Sequence, residues 1–199
     1  VDRLDVGLEV RGRGTITVDV AYGGMFYAIA DARGLGFAIR PDEARDLAVL
    51  GEAIRLAARE QIDCVHPEFP DLRGVSIVQF AGPFMGAGQV SRNTCIVSPG
   101  RSDRSPTGTG TSARMAMLHA RGLMQIGDTL VHESIIGSRF TGRIVSTARV
   151  GDRSAIVTTL SGRAYVTGVH NYFVDPDDPW PTGYVVGDTW GVSGTGTAQ

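Results

Sequence analysis

The stretch Asp103-Arg-Ser-Pro-Thr107-Gly-Thr-Gly-Thr111-Ser-Ala-Arg-Met-Ala-Met-Leu-His-Ala-Arg-Gly122 joins a polar, Gly-rich half to a half with helical apolar spacing. Ala113, Ala116, Met117 and Ala120 recur at i, i+3, i+4 and i+7, the spacing of one buried helical face. A loop therefore feeds a helix, which Thr111 or Ser112 can cap and Gly122 can stop in a left-handed conformation. Gly108 and Gly110 carry no side chain, so an anion can approach the free N–H groups of the first turn, where the helix dipole also favours negative charge. Asp103, four residues before Thr107, adds a fixed negative charge beside that cradle. Donors for an anion next to a carboxylate for a cation suit a zwitterion such as an amino acid.

The segments on either side alternate in the rhythm of strands. Leu4, Val6, Leu8 and Val10, then Ile16, Val18 and Val20, then Phe26, Ala28 and Ala30 predict three antiparallel strands over residues 3–31, with Arg11-Gly-Arg-Gly14 turning between the first two. Pro41-Asp42 starts a helix with Asp42 as N-cap, and Leu47, Leu50, Ile54, Ala57 and Ala58 form its stripe to about Glu60, interrupted by Gly51. Strands are expected at 75–81 and 94–97, separated by a Gly-rich loop over 84–93, and again at about 129–137, 141–150, 153–160 and 162–174, with Gly151-Asp152 as a turn. Strands on both sides of one apolar helix predict an α+β fold in which they wrap it.

Asp103-Arg-Ser-Pro-Thr-Gly-Thr-Gly resembles the second signature of the proline racemase family, which in racemases and 4-hydroxyproline epimerases reads Asp-Arg-Ser-Pro-Cys-Gly-Thr-Gly. Further landmarks follow in the family's order: Tyr22-Gly-Gly24, Phe80-Ala-Gly-Pro83, Ile136-Gly-Ser-Arg-Phe-Thr-Gly142, Gly162-Arg-Ala-Tyr-Val-Thr-Gly168 and Asp175-Pro-Asp-Asp-Pro-Trp180. The resemblance implies a diaminopimelate-epimerase-like α+β fold, mostly antiparallel strands wrapped around a central helix. It implies no cofactor and a small-molecule substrate, hydroxyproline or proline, with the Gly108 and Thr109 amides on the carboxylate and Asp103 on the ring ammonium.

Two departures qualify that resemblance. Thr107 stands where racemases and epimerases carry the second catalytic cysteine. A thiol titrates near pH 8.5 and lower at a helix N-terminus, so it can shuttle a proton, which an aliphatic hydroxyl cannot. Among family members the substitution resembles the trans-3-hydroxy-L-proline dehydratases, which remove the α-proton with one base and expel the 3-hydroxyl as water. The expected product is a pyrroline-2-carboxylate, with Thr107 in the catalytic position as a group that holds or polarises substrate. A 4-hydroxyproline 2-epimerase or proline racemase is the alternative, and a non-catalytic amino-acid-binding fragment is a third reading. Where epimerases carry a substrate-contacting histidine, this chain has Ile77, which weakens the 4-hydroxyproline reading. The second departure is that the family's other catalytic residue lies in a Cys-Gly-His-like motif of an N-terminal half, and no such motif occurs in this sequence. The expectation is a C-terminal portion over 1–192 with a low-complexity tail over 193–199, inactive without the missing N-terminal half.

Totals bound the remaining classes. The 199 residues are 42% hydrophobic and 20% charged, ordinary for a globular domain, and the net charge of −2 with no basic stripe argues against nucleic acid or a membrane surface as partner. All 19 basic residues are arginine, so no lysine here can form a Schiff base. Two cysteines, Cys64 and Cys95, do not make a disulfide framework, and a reducing cytoplasmic setting is the default. Cys95, among Thr94, Ile96 and Val97, reads as a small buried side chain, and neither thiol receives a role. His66, His119, His132 and His170 show no ligand spacing, so no metal is expected. Gly108-Thr-Gly-Thr-Ser-Ala113 also matches a dinucleotide fingerprint, with Asp128 twenty residues after the first glycine. That motif follows a buried strand directly, whereas residues 99–106 intervene here. A homodimer is left open.

Overall fold

In the computed structural model, which describes residues 1–184, the N-terminal alternation becomes three strands: β1 (Arg3–Val10), β2 (Gly14–Tyr22) and β3 (Phe26–Asp31). They pair antiparallel in that order, as the sequence predicts. A 3-10 turn at Pro41–Glu43 then leads into α1 (Ala44–Gln61). The expected cap at Asp42 is not formed: Glu43 occupies the N-cap position. Asp42 lies outside on the surface with Arg40, while the Glu43 carboxylate turns back to accept the Ala38 and Arg40 amides at 3.1 and 2.9 Å. A carboxylate shared by two loop amides orders the approach to the helix more firmly than an exposed Asp42 can.

After α1 come β4 (Val75–Ala81), β5 (Val90–Val97), the two-residue β6 (Arg101–Ser102), α2 (Gly108–Ala120), β7 (Thr129–Glu133), β8 (Arg139–Val150) and β9 (Arg153–Gly162). One mixed sheet runs β1-β2-β3-β4-β5-β7-β8-β9, with β6 beside β5. Most pairings are antiparallel, but β3–β4 and β5–β7 are parallel, and each parallel pair is bridged by a segment containing one helix. Parallel neighbours require such a crossover.

Strand alternation then divides the interior. Ala28 and Ala30 of β3, Val78 and Phe80 of β4 and Ile96 of β5 bury against Leu47, Leu50, Ile54 and Ala58 of α1. Their sequence neighbours Tyr27, Ile29, Ile77, Ala81 and Cys95 bury on the opposite face against Ala113, Met115, Met117 and Leu118 of α2, with Leu130 and Ile144 closing over from β7 and β8. The α1 stripe is buried as predicted, and fully buried side chains such as Leu47 and Ile54 each contribute about 1.5–3 kcal/mol. Gly51 interrupts the stripe for a packing reason: a Cβ there would lie 2.5 Å from Ile96 Cγ1. The α2 stripe is corrected in part. Ala113 and Met117 are buried, but Ala116 is half-buried and Ala120 exposed, while Met115 and Leu118 are buried. With β2–β5 on one side and β7–β9 on another, α2 is covered over more than one stripe, so single-face spacing understates it.

The strand predicted at 129–137 ends at Glu133, because Ser134–Ser138 forms the hairpin turn into β8. The strand predicted at 162–174 is not formed. From Ala164 the chain is a separate unit without helix or strand among its described residues, and Val166, Val169, Tyr172 and Phe173 are exposed. Among its described residues the alternation forms no ladder. Within it, Asp175 and Asp178 accept the amides of Asp177 and Trp180 at 3.0 and 2.9 Å, the local turn chemistry that aspartate favours. The tail at 193–199 lies outside the described residues.

Candidate active site at the mouth of α2

The helix begins earlier than its apolar spacing suggests. Thr107 is the N-cap and Thr111 and Ser112 lie within the second turn, so the predicted caps are corrected to Thr107. Of the two glycines in the first turn, Gly110 is demanded by the sheet behind it. A Cβ on Gly110 would lie 2.9 Å from Gln79 Nε2, 3.2 Å from Cys95 Sγ and 3.3 Å from Thr107 Cβ. At the other end Gly122 adopts φ 72° as predicted, and the bonds from Leu123 to Leu118 and from Gly122 to His119 complete a Schellman stop.

Thr107 does not behave as an ordinary cap. Its hydroxyl makes no bond to the helix amides; it donates to Asp103 Oδ2 at 2.9 Å. Asp103 is further held by the Ser105 amide at 2.9 Å and the Ser105 hydroxyl at 3.1 Å, and the Thr107 amide is bound by Ser105 Oγ at 3.0 Å. The loop thus satisfies itself through side chains. Among the described residues no group accepts from the Gly108 or Thr109 amide, and both residues are half-buried, so the donors at the positive end of the dipole stay open. Thr107 itself sits at φ 62°, ψ 109°. For a β-branched residue that is a genuine outlier, costing roughly 1–3 kcal/mol, and such strain is concentrated at functional sites.

All four sequence-derived candidates, Asp103, Thr107, Gly108 and Thr109, therefore fall on one loop and one helical turn. Side chains that the sequence reading passed over support them from below. Tyr27 is fully buried with its hydroxyl 2.6 Å from Thr109 Oγ1, and burial holds the phenol well above its ordinary range. Gln79 and Cys95, register partners across β4 and β5, lie under Gly110. Cys95 is buried as expected, its sulfur accepting from Gln79 Nε2 at 3.7 Å, and burial pushes its thiol up to about 12. It is no proton shuttle near neutral pH. Ile77 is buried in the same core. These positions share a parity that alternation makes visible: Tyr27, Ile77, Gln79 and Cys95 are the odd-numbered residues of strands whose even-numbered neighbours face α1.

His132 is the histidine bonded to the start of α2. Its Nδ1 lies 2.8 Å from Thr111 Oγ1, one turn below Thr107, and the ring is completely buried. His119 instead bonds the Met124 carbonyl at 2.8 Å, and His66 accepts the amides of Glu68 and Phe69, both loop-ordering tasks away from α2's mouth. Asp128 receives the Gln125 amide at 2.7 Å in a turn after the C-terminal end of α2, remote from the glycines a dinucleotide would need it beside. Among the described residues no group of three His, Cys, Asp or Glu is arranged to hold a metal, and no helix is long and apolar enough to cross a membrane.

Burial, with the Arg114 charge added, pushes His132 down to about 3. In the unfolded chain imidazole takes up its proton near 6.5, so below that pH the unfolded state binds one proton more than the folded state. The stability this group allows is therefore intact above pH 6.5 and falls as pH drops toward 3, by about 2 kcal/mol at pH 5. Urea melts of the wild type and of His132→Asn at pH 7 and 5 isolate that contribution: the wild type should lose about 2 kcal/mol more than the variant. Equal losses in both proteins would contradict it.

The proline racemase family model matches residues 1–185. Among solved structures, a hydroxyproline epimerase from Agrobacterium vitis with bound trans-4-hydroxy-L-proline is 40% identical, with a TM-score of 0.79 over 96% of this chain and 54% of that one. A probable proline racemase from Agrobacterium radiobacter K84 with bound carbonate is 37% identical, with a TM-score of 0.79 over 92% and 54%. The chain thus spans about half the length of each relative. Family match, shared fold and the Asp103–Thr109 loop at the mouth of α2 agree, and the chain belongs to the proline racemase family.

Proposed function

We propose that this chain supplies the threonine-bearing part of a trans-3-hydroxy-L-proline dehydratase. The observation that carries the reading is the Thr107 hydroxyl, which donates to Asp103 and so turns its lone pairs, not its proton, toward any ligand at the helix mouth. An aliphatic alcohol spent in that way cannot reprotonate an α-carbon, and Cys95, buried with its thiol up to about 12, cannot replace it. One face of the substrate then lacks an acid, which stops inversion but not elimination.

In this reading the Gly108 and Thr109 amides receive the substrate carboxylate and Asp103, with Thr107 beside it, receives the ring ammonium. A base from outside this chain removes the α-proton. The C–H electron pair becomes the Cα=Cβ bond, the bond from C3 to oxygen breaks, and hydroxide leaves with a proton as water. The enamine then tautomerises to a cyclic imine acid. Negative charge spreading onto the carboxylate is stabilised by the two amides at the positive end of α2, so no cofactor is called for. The intact protein, with its N-terminal half, is the active species.

A 4-hydroxyproline epimerase is the second reading, supported by the 40% identity to the Agrobacterium vitis hydroxyproline epimerase. Incubating the intact protein with L-proline, trans-4-hydroxy-L-proline and trans-3-hydroxy-L-proline in heavy water separates the two. The dehydratase consumes only the 3-hydroxy substrate, releasing an imine acid without forming a D-isomer. Thr107→Cys should add α-inversion of the 4-hydroxy substrate. Inversion by the unaltered protein without loss of water would reject the dehydratase.

A further inference from the structure

The peptide unit between Thr107 and Gly108 is held from inside the protein by a chain of hydrogen bonds that the chemistry above does not use. Its carbonyl accepts both the Thr111 amide and the Thr111 hydroxyl, each at 2.8 Å. The same hydroxyl oxygen lies 3.3 Å from the Pro106 carbonyl and 2.8 Å from His132 Nδ1. A hydroxyl has one proton to give. With that proton on a carbonyl, the contact to His132 requires the hydrogen to sit on Nδ1. The order is then His132 Nδ1–H to Thr111 Oγ1, and Thr111 Oγ1–H to the Thr107 carbonyl. His132 Nε2 is left as a bare lone pair, buried and without a partner among the described residues.

A trans peptide is planar, and its C=O and N–H point to opposite sides. Fixing the Thr107 carbonyl inward therefore fixes the Gly108 N–H outward, toward the helix mouth. Two donors on one carbonyl also polarise the peptide and strengthen its N–H as a donor. Leu130, two residues earlier on β7, is fully buried in the α2 core, and another apolar side chain at 132 would continue that pattern without an orphaned nitrogen. The buried imidazole, with its orphaned nitrogen, carries a desolvation cost that packing alone does not explain. Thr107, strained at φ 62°, is the residue whose carbonyl it anchors.

We propose that His132, acting through the Thr111 hydroxyl, is a positioning residue that aims the Gly108 amide at the substrate carboxylate. The proposal rests on the reading of the Gly108 and Thr109 amides as the carboxylate site, and it holds for dehydratase and epimerase chemistry alike. Its test uses the intact protein and two probes that share the ring ammonium: L-proline, which has the carboxylate, and L-prolinamide, which replaces it with a neutral amide. Calorimetric titration of wild type should show proline binding more tightly. In Thr111→Val and His132→Leu the affinity for proline should fall about tenfold and that for prolinamide should not change. Thr111→Ser, which restores the hydroxyl, and His132→Asn, which restores a donor at the Nδ1 position, should return proline binding to within threefold of wild type. Turnover should follow the same order, with kcat lowered more than KM is raised, since charge on the carboxylate grows in the transition state. If Thr111→Val does not fold, the His132→Leu and His132→Asn pair answers the same question. Equal loss for both probes, or none for either, would overturn the positioning role. A wild-type protein with no preference for proline would remove the carboxylate reading itself, and the proposal with it.

Discussion

Alanine at position 23 will destabilise the intact protein by about 3 kcal/mol or more, a larger effect than any surface substitution, and will abolish activity in whatever fraction remains folded. A Cβ on Gly23 would lie 2.2 Å from the Thr109 carbonyl oxygen and 2.6 Å from the Ala113 amide nitrogen. Both are backbone atoms of the first turns of α2, so no rotamer change relieves the clash. The helix cannot retreat, because Met115 is pressed against Gly142, where a Cβ would meet the Met115 methyl at 2.6 Å. Moving α2 would also carry Thr109 away from the Tyr27 hydroxyl. Gly108→Ala is the control: its Cβ meets Leu160 Cδ1 at an ordinary 3.5 Å, so the fold should be kept. Chemical melts of the two variants decide the matter, and a Gly23→Ala protein within 1 kcal/mol of wild type would mean that the turn from β2 to β3 approaches α2 loosely.

If the proposed reading holds, Asp103→Asn in the intact protein should lower kcat/KM about 100-fold, equivalent to about 3 kcal/mol, while changing stability far less. The carboxylate is half-buried and already accepts from the Ser105 amide, the Ser105 hydroxyl and the Thr107 hydroxyl. Asparagine keeps the shape and one acceptor oxygen but removes the charge that would face a ring ammonium. It also presents an NH2 where the Thr107 hydroxyl now donates, which turns that hydroxyl around. The loss should therefore exceed that of a single neutral hydrogen bond. Steady-state kinetics with trans-3-hydroxy-L-proline, alongside thermal melts, provide the measurement. Activity within threefold of wild type would exclude Asp103 from the ammonium site.

Much of the molecule can be read from residue order. Antiparallel strands over residues 3–31 follow from two-residue alternation, and α1 from its apolar stripe, because each element's burial is signalled by its own neighbours in sequence. The glycine landmarks are legible as a pattern, but their reason is not. Gly23 lies in the turn from β2 to β3 and Gly142 on β8, and only the fold reveals that both let α2 come close. The start of α2 is hidden from the sequence for a related cause: its first turn is helical because Gly110 fits against Gln79 and Cys95, a constraint absent from any local propensity. The exposed segment from Ala164 shows the reverse, since alternation over 162–174 does not make a strand without a neighbouring ladder.

By itself, the sequence determined the family, the α+β class and the identity of the four residues at the helix mouth, since Asp103, Thr107, Gly108 and Thr109 lie on one short loop and one turn. Tertiary structure alone decided which groups stand behind them. Tyr27, Gln79, Cys95 and His132 come from four strands far apart in the chain, and they meet under α2 because the mixed sheet turns one parity of side chains to that face. A hydrogen-bond chain that crosses strands is set by register and packing, which no local pattern of residues encodes.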